Sequence, residues 1–226
     1  MNLQVVNLGC LDYSEALKIQ ENLFLLRTQD KIGDTLLLVE HPPVLTLGIR
    51  GNYDNILISQ KYLAEHGIKI YEVNRGGDVT YHGPGQIVGY PIMNLSKWGV
   101  KEFVWKIEEV FIRLLQEEYG LTAHREEKKY TGVWVENQKI TAIGIHVSKW
   151  VTTHGFAFNV NTDLSHFQWI NPCGITDKGV TSVQQLTGEK QDFAKVSRMV
   201  VEYFCKVFDM EAVECTKANL NLLGLK

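Results

Sequence analysis

The chain has 226 residues, 45% of them hydrophobic and 22% charged, with a net charge of -3 at neutral pH. That composition suits a globular chain with one sizeable core, and a single domain over 1–226 is expected. No global basic field invites nucleic acid, and no window approaches the run of about 18 apolar residues that a membrane span needs.

Leu3, Val5 and Leu8 begin a strand straight after Met1, with no charged and apolar leader pattern, which points to the cytoplasm. Asp12 can cap a helix, with Glu15 as the returning carboxylate, and Ala16, Ile19, Leu23 and Leu26 recur at helical spacing. Thr35 to Val39 is an apolar run of strand length, buried on both faces, which stops at His41-Pro42-Pro43 because proline lacks a donor. Val44 to Gly48 resumes as a strand. Ser59 to His66 reads as a short helix closed by Gly67. Ile68, Ile70 and Glu72 alternate into a glycine-rich loop, and Ile87 to Leu95 leads out of it. Pro91 inside that second strand predicts an edge position or a bulge.

Phe103, Ile107, Val110, Phe111, Leu114 and Leu115 make the clearest amphipathic helix, ending at Gly120. A meander follows: Val133 and Val135, a turn at Glu136-Asn137-Gln138, then strands over Ile140–Val147 and Val151–Val160. Phe193, Val196, Val200, Phe204 and Val207 form a last helix. Several strands join by tight turns rather than helical crossovers. The expected fold class is therefore α+β, a mixed or antiparallel sheet packed with helices.

Four stretches carry chemistry. The first, Arg75 to Pro91, holds five glycines beside Arg75, Asp78, Thr80, Tyr81, His82 and Gln86. Its glycines can bring backbone N–H groups close to a ligand, though the residues alone equally allow an elaborate turn. Gly83-Pro84-Gly85-Gln86-Ile87-Val88-Gly89 misses the dinucleotide spacing by one residue and opens onto a strand, so no nucleotide cofactor is expected. His41, His82, His146 and His154 are too scattered for a metal site. The second stretch is Lys139 to Gly144, where a lysine heads an apolar strand. The third is His154 to Asn161. The fourth is Asn171-Pro172-Cys173-Gly174, whose proline and glycine present a thiol on a turn. Cys10, Cys205 and Cys215 lack such surroundings, and the scattered cysteines suit free thiols in a reducing compartment.

With these blocks in view, the whole chain resembles the lipoyl(octanoyl) transferases. The resemblance implies a catalytic domain of the biotin/lipoate protein ligase type. It implies transfer of an octanoyl group from octanoyl-acyl carrier protein to a lysine on a lipoyl domain, as in 2-oxoacid dehydrogenase E2 subunits and the glycine cleavage H protein. Carried over position by position, Cys173 would be the acyl-thioester nucleophile and Lys139 the residue that lowers its pKa. Substrate would be held by Arg75, Gly76, Gly77, Asp78, Val79, Thr80, Tyr81 and His82, by Ala142, Ile143 and Gly144, and by Gly155, Phe156 and Ala157. The reaction needs no cofactor or metal. Phe156 and Phe158 stand where smaller aliphatics are expected, which leaves the acyl-chain length open. The default assembly is a monomer, with Arg50, Lys101 and the Arg125/Lys128/Lys129 cluster as carrier-docking candidates. On the same fold, an ATP-dependent lipoate–protein ligase or a non-catalytic acyl-binding protein are the alternatives.

Overall fold

The computed structural model describes residues 1–126, 130–171 and 178–216. Strand β1 (Asn2–Cys10) leads into helix α1 (Tyr13–Thr28). The Asp12 carboxylate caps this helix by accepting from the Ser14 N–H and hydroxyl. Strand β2 (Thr35–Glu40) lies beside β1 and parallel to it. Strand β3 (Val44–Leu47) and helix α2 (Gln60–Glu65) follow, then β4 (Lys69–Glu72), β5 (Val79–His82) and β6 (Gln86–Ile92). Helix α3 (Gly99–Tyr119) ends at Gly120, whose φ of 64° is the left-handed conformation that glycine adopts without strain. The second half adds β7 (His124–Arg125), β8 (Gly132–Val135), β9 (Gln138–Ser148) and β10 (Val151–Asn159). It closes with β11 (Gly179–Val180), α4 (Val183–Thr187), α5 (Phe193–Phe208) and β12 (Glu211–Cys215).

The main sheet has the order β12-β1-β2-β6-β10-β9-β8-β7, with β11 alongside β9. Its pairs are parallel on both sides of β1 and between β11 and β9, and antiparallel elsewhere. This is the mixed sheet expected of an α+β chain. Alternation along β2 sends Leu36 and Leu38 to one face, where α3 and α5 cover them, and Leu37 and Val39 to the other, under α1. Phe111 of α3 meets Phe156 and Phe158 of β10 with ring centroids 4.9 Å apart in each case.

A second sheet, β4-β3-β5, is built partly from the segment read as a plain glycine-rich loop. Leu45, Leu47, Val79, Tyr81 and Leu63 make its own small core. Strands β3 and β4 were expected from the sequence, but β5, the pairing of the three into a sheet, and β7, β11, α4 and β12 were not.

Pro91 is a correction. Strand β6 is interior, between β2 and β10, and not an edge. Its ladder with β10 stops at the Gly89–Phe156 pair. Beyond that point the Thr152 hydroxyl donates to the Pro91 carbonyl (2.6 Å) and accepts from the Met93 N–H (2.9 Å). A side chain thus satisfies the Pro91 carbonyl and the Met93 N–H where the ladder with β10 has ended.

Candidate active site

A cavity of about 320 Å³ lies where the small sheet faces β9 and β10, within the range of ligand pockets. Room for it comes from small residues at facing positions. Gly144 pairs with Gly155 and Ala142 with Ala157 across β9 and β10. A Cβ at Gly155 would come within 2.1 Å of the Gly89 carbonyl oxygen, and one at Gly144 within 2.7 Å of that of Gly76. Ile143, Ile145, Val88 and Phe156 give the lining its apolar part. Phe158 is buried in the core and does not reach the cavity.

The Arg75 loop forms the rim. Gly76 N–H donates to the Ile145 carbonyl (2.9 Å), which fastens the loop to β9. Arg75 is buried, and its guanidinium points into the loop. It donates to the Thr46 carbonyl (2.7 Å), the Asp78 carbonyl (2.7 Å) and the Gly76 carbonyl (3.0 Å). The arginine therefore braces the loop that meets the ligand. Asp78 accepts from the Val79 N–H (2.7 Å) and from Asn55 Nδ2 (2.6 Å), and the Asn55 carbonyl accepts from the Asn171 N–H (2.8 Å). Gly77, with φ of 96°, turns the chain between them.

Arg75, Gly76, Gly77, Asp78, Val79, Thr80 and His82 all line the cavity. So do Ala142, Ile143, Gly144, Gly155, Phe156 and Ala157. Tyr81 does not. Its ring packs in the small sheet's core beside Phe167, and its hydroxyl meets His166 Nδ1 at 2.7 Å. Its neighbours Thr80 and His82 take the other face of β5 by strand alternation, while Val79, on the face of Tyr81, reaches the lining from the start of the strand.

Lys139, also on the lining, opens β9 next to β11: Val180 is its register partner, and its carbonyl accepts from the Thr181 N–H (3.0 Å). Its ammonium donates to the Thr131 carbonyl (3.2 Å) and lies 4.8 Å from the Trp134 ring centroid. Lys178 lies 4.9 Å from the same ring and pairs with Glu126 at 2.6 Å. Cys173 belongs to 172–177 and lies outside the described residues, as do Lys128 and Lys129. Lys178, Gly179 and Val180, the described residues that follow it, line the cavity. Of the docking candidates, Arg50 is on the cavity lining and Lys101 is exposed on α3. Arg125 is occupied by Glu109 (2.6 Å) and stacks on Trp105.

Burial makes two of the lining histidines poor bases. His82 is pushed down to about 3 by burial and then by neighbouring His41. His154 is pushed down to about 3 by burial and then by Arg75. His154 also carries a φ of 58°, with its N–H held by Gln20 Oε1 (2.9 Å) and its Nε2 by Asn74 Oδ1 (2.7 Å). Tyr13, Tyr90, Trp134 and Lys178 also line the cavity and were missed in the sequence. The tyrosines sit in periodic helix and strand patterns that read as core, and no motif singles out Trp134 or Lys178. Among the described residues, no cluster of three or more metal-ligating side chains occurs, and no helix is long and apolar enough to cross a membrane.

This architecture is that of the lipoate and biotin protein ligase catalytic domains. A crystal structure of lipoate-protein ligase A bound with ATP superposes with a TM-score of 0.80 at 16% identity, covering 99% of this chain and 95% of that one. Biotin protein ligase from Aquifex aeolicus gives 0.52 at 14% identity, over 92% of this chain and 69% of that one. Within that fold, the lipoyl protein ligase A/B catalytic domain family model matches residues 12–205, and the chain belongs to that family. Relatives named octanoyltransferase include one from Desulforamulus reducens, 60% identical over 98% of this chain and 97% of its own length. Another, from Caldicellulosiruptor saccharolyticus, is 58% identical over 97% and 94%.

Proposed function

We propose that the protein is an octanoyltransferase that moves an octanoyl group from octanoyl-acyl carrier protein to a lysine of lipoyl domains, those of 2-oxoacid dehydrogenase E2 subunits and the glycine cleavage H protein. The observation that carries this reading is the cavity itself. It joins apolar β9 and β10 side chains to Lys139 and to Lys178–Val180, the described residues that follow Cys173. The names of the close relatives support it.

The Cys173 thiolate attacks the thioester carbonyl, the bond from carbonyl carbon to carrier sulfur breaks, and the carrier sulfur leaves as a thiol with a proton given up by the Lys139 ammonium. A free thiol near pKa 8.5 is only a few per cent ionised at neutral pH. An ammonium at about 4 Å contributes on the order of 4 kcal/mol at an effective dielectric of 20, and half of that brings the thiol to about 7. Lys139 supplies that charge. The amine of the lipoyl-domain lysine then attacks the acyl-enzyme, an amide forms, and the cysteine sulfur departs. Lys139, once neutral, takes the amine's proton. His82 is unsuited to that task, since burial holds it neutral and weakly basic. Ile143, Ile145, Val88 and Phe156 receive the acyl chain, each methylene burying about 0.8 kcal/mol. The protein acts in the cytosol as a monomer of one domain over 1–226. The free thiols at Cys10, Cys205 and Cys215 are compatible with a reducing compartment.

Incubation with octanoyl-acyl carrier protein in the absence of ATP, followed by intact mass measurement, tests the scheme. An octanoyl adduct is expected on the wild type and not on Cys173→Ala. Octanoylation that requires ATP and free octanoate would identify a ligase instead. Lys139→Arg keeps the charge without a titratable amine. Adduct formation should therefore survive better than transfer, and equal loss of both steps rejects Lys139 as the proton acceptor.

A further inference from the structure

Behind the cavity wall, one line of buried polar groups joins His82 to Lys139. His82 Nδ1 meets Gln86 Oε1 at 2.8 Å, and Gln86 Nε2 donates to Asn159 Oδ1 at 2.9 Å. Asn159 Nδ2 donates to the Thr181 carbonyl at 3.0 Å, and the Thr181 N–H donates to the Lys139 carbonyl at 3.0 Å. His82 is 6% exposed, Gln86 1%, Asn159 4% and Thr181 0%.

The direction of every donor in this line is fixed. Gln86 Nε2 also points at the Tyr81 carbonyl (3.3 Å), and Asn159 Nδ2 at that of Thr181. Carbonyls only accept, so both amides have a single orientation. Gln86 Oε1 must then accept from His82, which places the imidazole proton on Nδ1 and leaves Nε2 as an acceptor. At its other end, the line holds β11 against β9 at the residue that bears the ammonium.

We propose that Asn159 is a positioning residue for acyl transfer, its one amide holding the tautomer-fixed His82 and the β11–Lys139 pairing in a common register. The role rests on the octanoyltransferase reading, while the bonds themselves do not. Alanine-like packing cannot substitute, because a buried Thr181 carbonyl without its donor is costly.

Asn159→Asp tests this with a built-in switch. A protonated carboxyl still accepts from Gln86 and donates to Thr181; an ionised one has nothing to donate. Relative to wild type at the same pH, kcat is expected within about threefold at pH 5.5 and down by at least about 30-fold at pH 8, with KM for the octanoyl donor within about threefold. A ratio that is constant with pH, or a loss carried by KM, overturns the proposal. Gln86→Glu breaks the donor one link earlier and should show the same pH-dependent fall; if it does not, the proposal is overturned even where Asn159→Asp fails to fold.

Amide hydrogen exchange at pH 8 needs no activity. The Thr181 N–H should exchange at least about tenfold faster in Asn159→Asp, with the α3 amides unchanged. Unaltered Thr181 protection rejects the coupling. If the wild type transfers no octanoyl group, the assigned reaction falls, and the exchange experiment still decides whether Asn159 holds β11.

Discussion

Two buried histidines give the protein an acid sensitivity that can be measured. His82 and His154 are both held down to about 3, against about 6.5 in the unfolded chain. The unfolded state therefore binds more protons below pH 6.5, and stability is present above that value and is lost as pH falls toward 3. Each imidazole takes away up to about 1.4 kcal/mol per pH unit in that window. Urea unfolding at pH 7.5 and 5.5 should differ by a few kcal/mol, and His82→Gln should recover about 1 kcal/mol of it. Equal stability at the two pH values would show that the imidazoles are not buried as described. Carboxylates held low, such as Asp12 and Glu109, lose their contribution at more acidic pH and stay out of this window. At this scale much of the site was legible in the sequence. Lys139, His82 and the glycines of the Arg75 loop stood out because they are odd for their surroundings. Tyr13 and Tyr90 did not, since a tyrosine at a periodic apolar position looks the same whether it fills a core or borders a cavity.

Strand β6 shows how one element can break a rule and be repaired by another. Thr152 supplies both the donor to the Pro91 carbonyl and the acceptor for the Met93 N–H. Thr152→Val keeps the shape and strands two buried backbone groups, so a loss of about 2–4 kcal/mol is expected in denaturant unfolding with the m-value unchanged. A loss below about 0.5 kcal/mol would mean that the backbone finds other partners. Periodicity located β1, β2, β9, β10, α1, α3 and α5, because each has a long apolar face. The third strand of the small sheet, β5, escaped notice because Val79 to His82 is short and sits among glycines. Its pairing with β3 is non-local, and no local pattern encodes it. Pro91 was misplaced for a related reason: the compensating hydroxyl lies on another strand.

The cavity lies where the small sheet meets the main one, so a ligand there ties two separately packed cores together. Octanoic acid should raise Tm in Cys173→Ala, which lacks the thiol of the proposed reaction, whereas butyrate at equal concentration should not. Saturation at 100 times Kd corresponds to about 2.7 kcal/mol. No shift with octanoate would mean that the apolar wall does not receive the chain. The sequence placed the two sides of this cavity on different stretches, and their meeting depends on tertiary pairing that composition does not record.

The outer side of β1 has a further consequence. Asn2 to Val6 pair with Glu211 to Cys215, so a strand made early is joined on that side by the last described one. Until β12 has been made, β1 carries an open β edge that can recruit a neighbouring polypeptide. Chains cut after Phe208 should therefore partition into inclusion bodies unless a chaperone occupies that edge, and supplying residues 209–216 as a separate peptide should return part of them to solution.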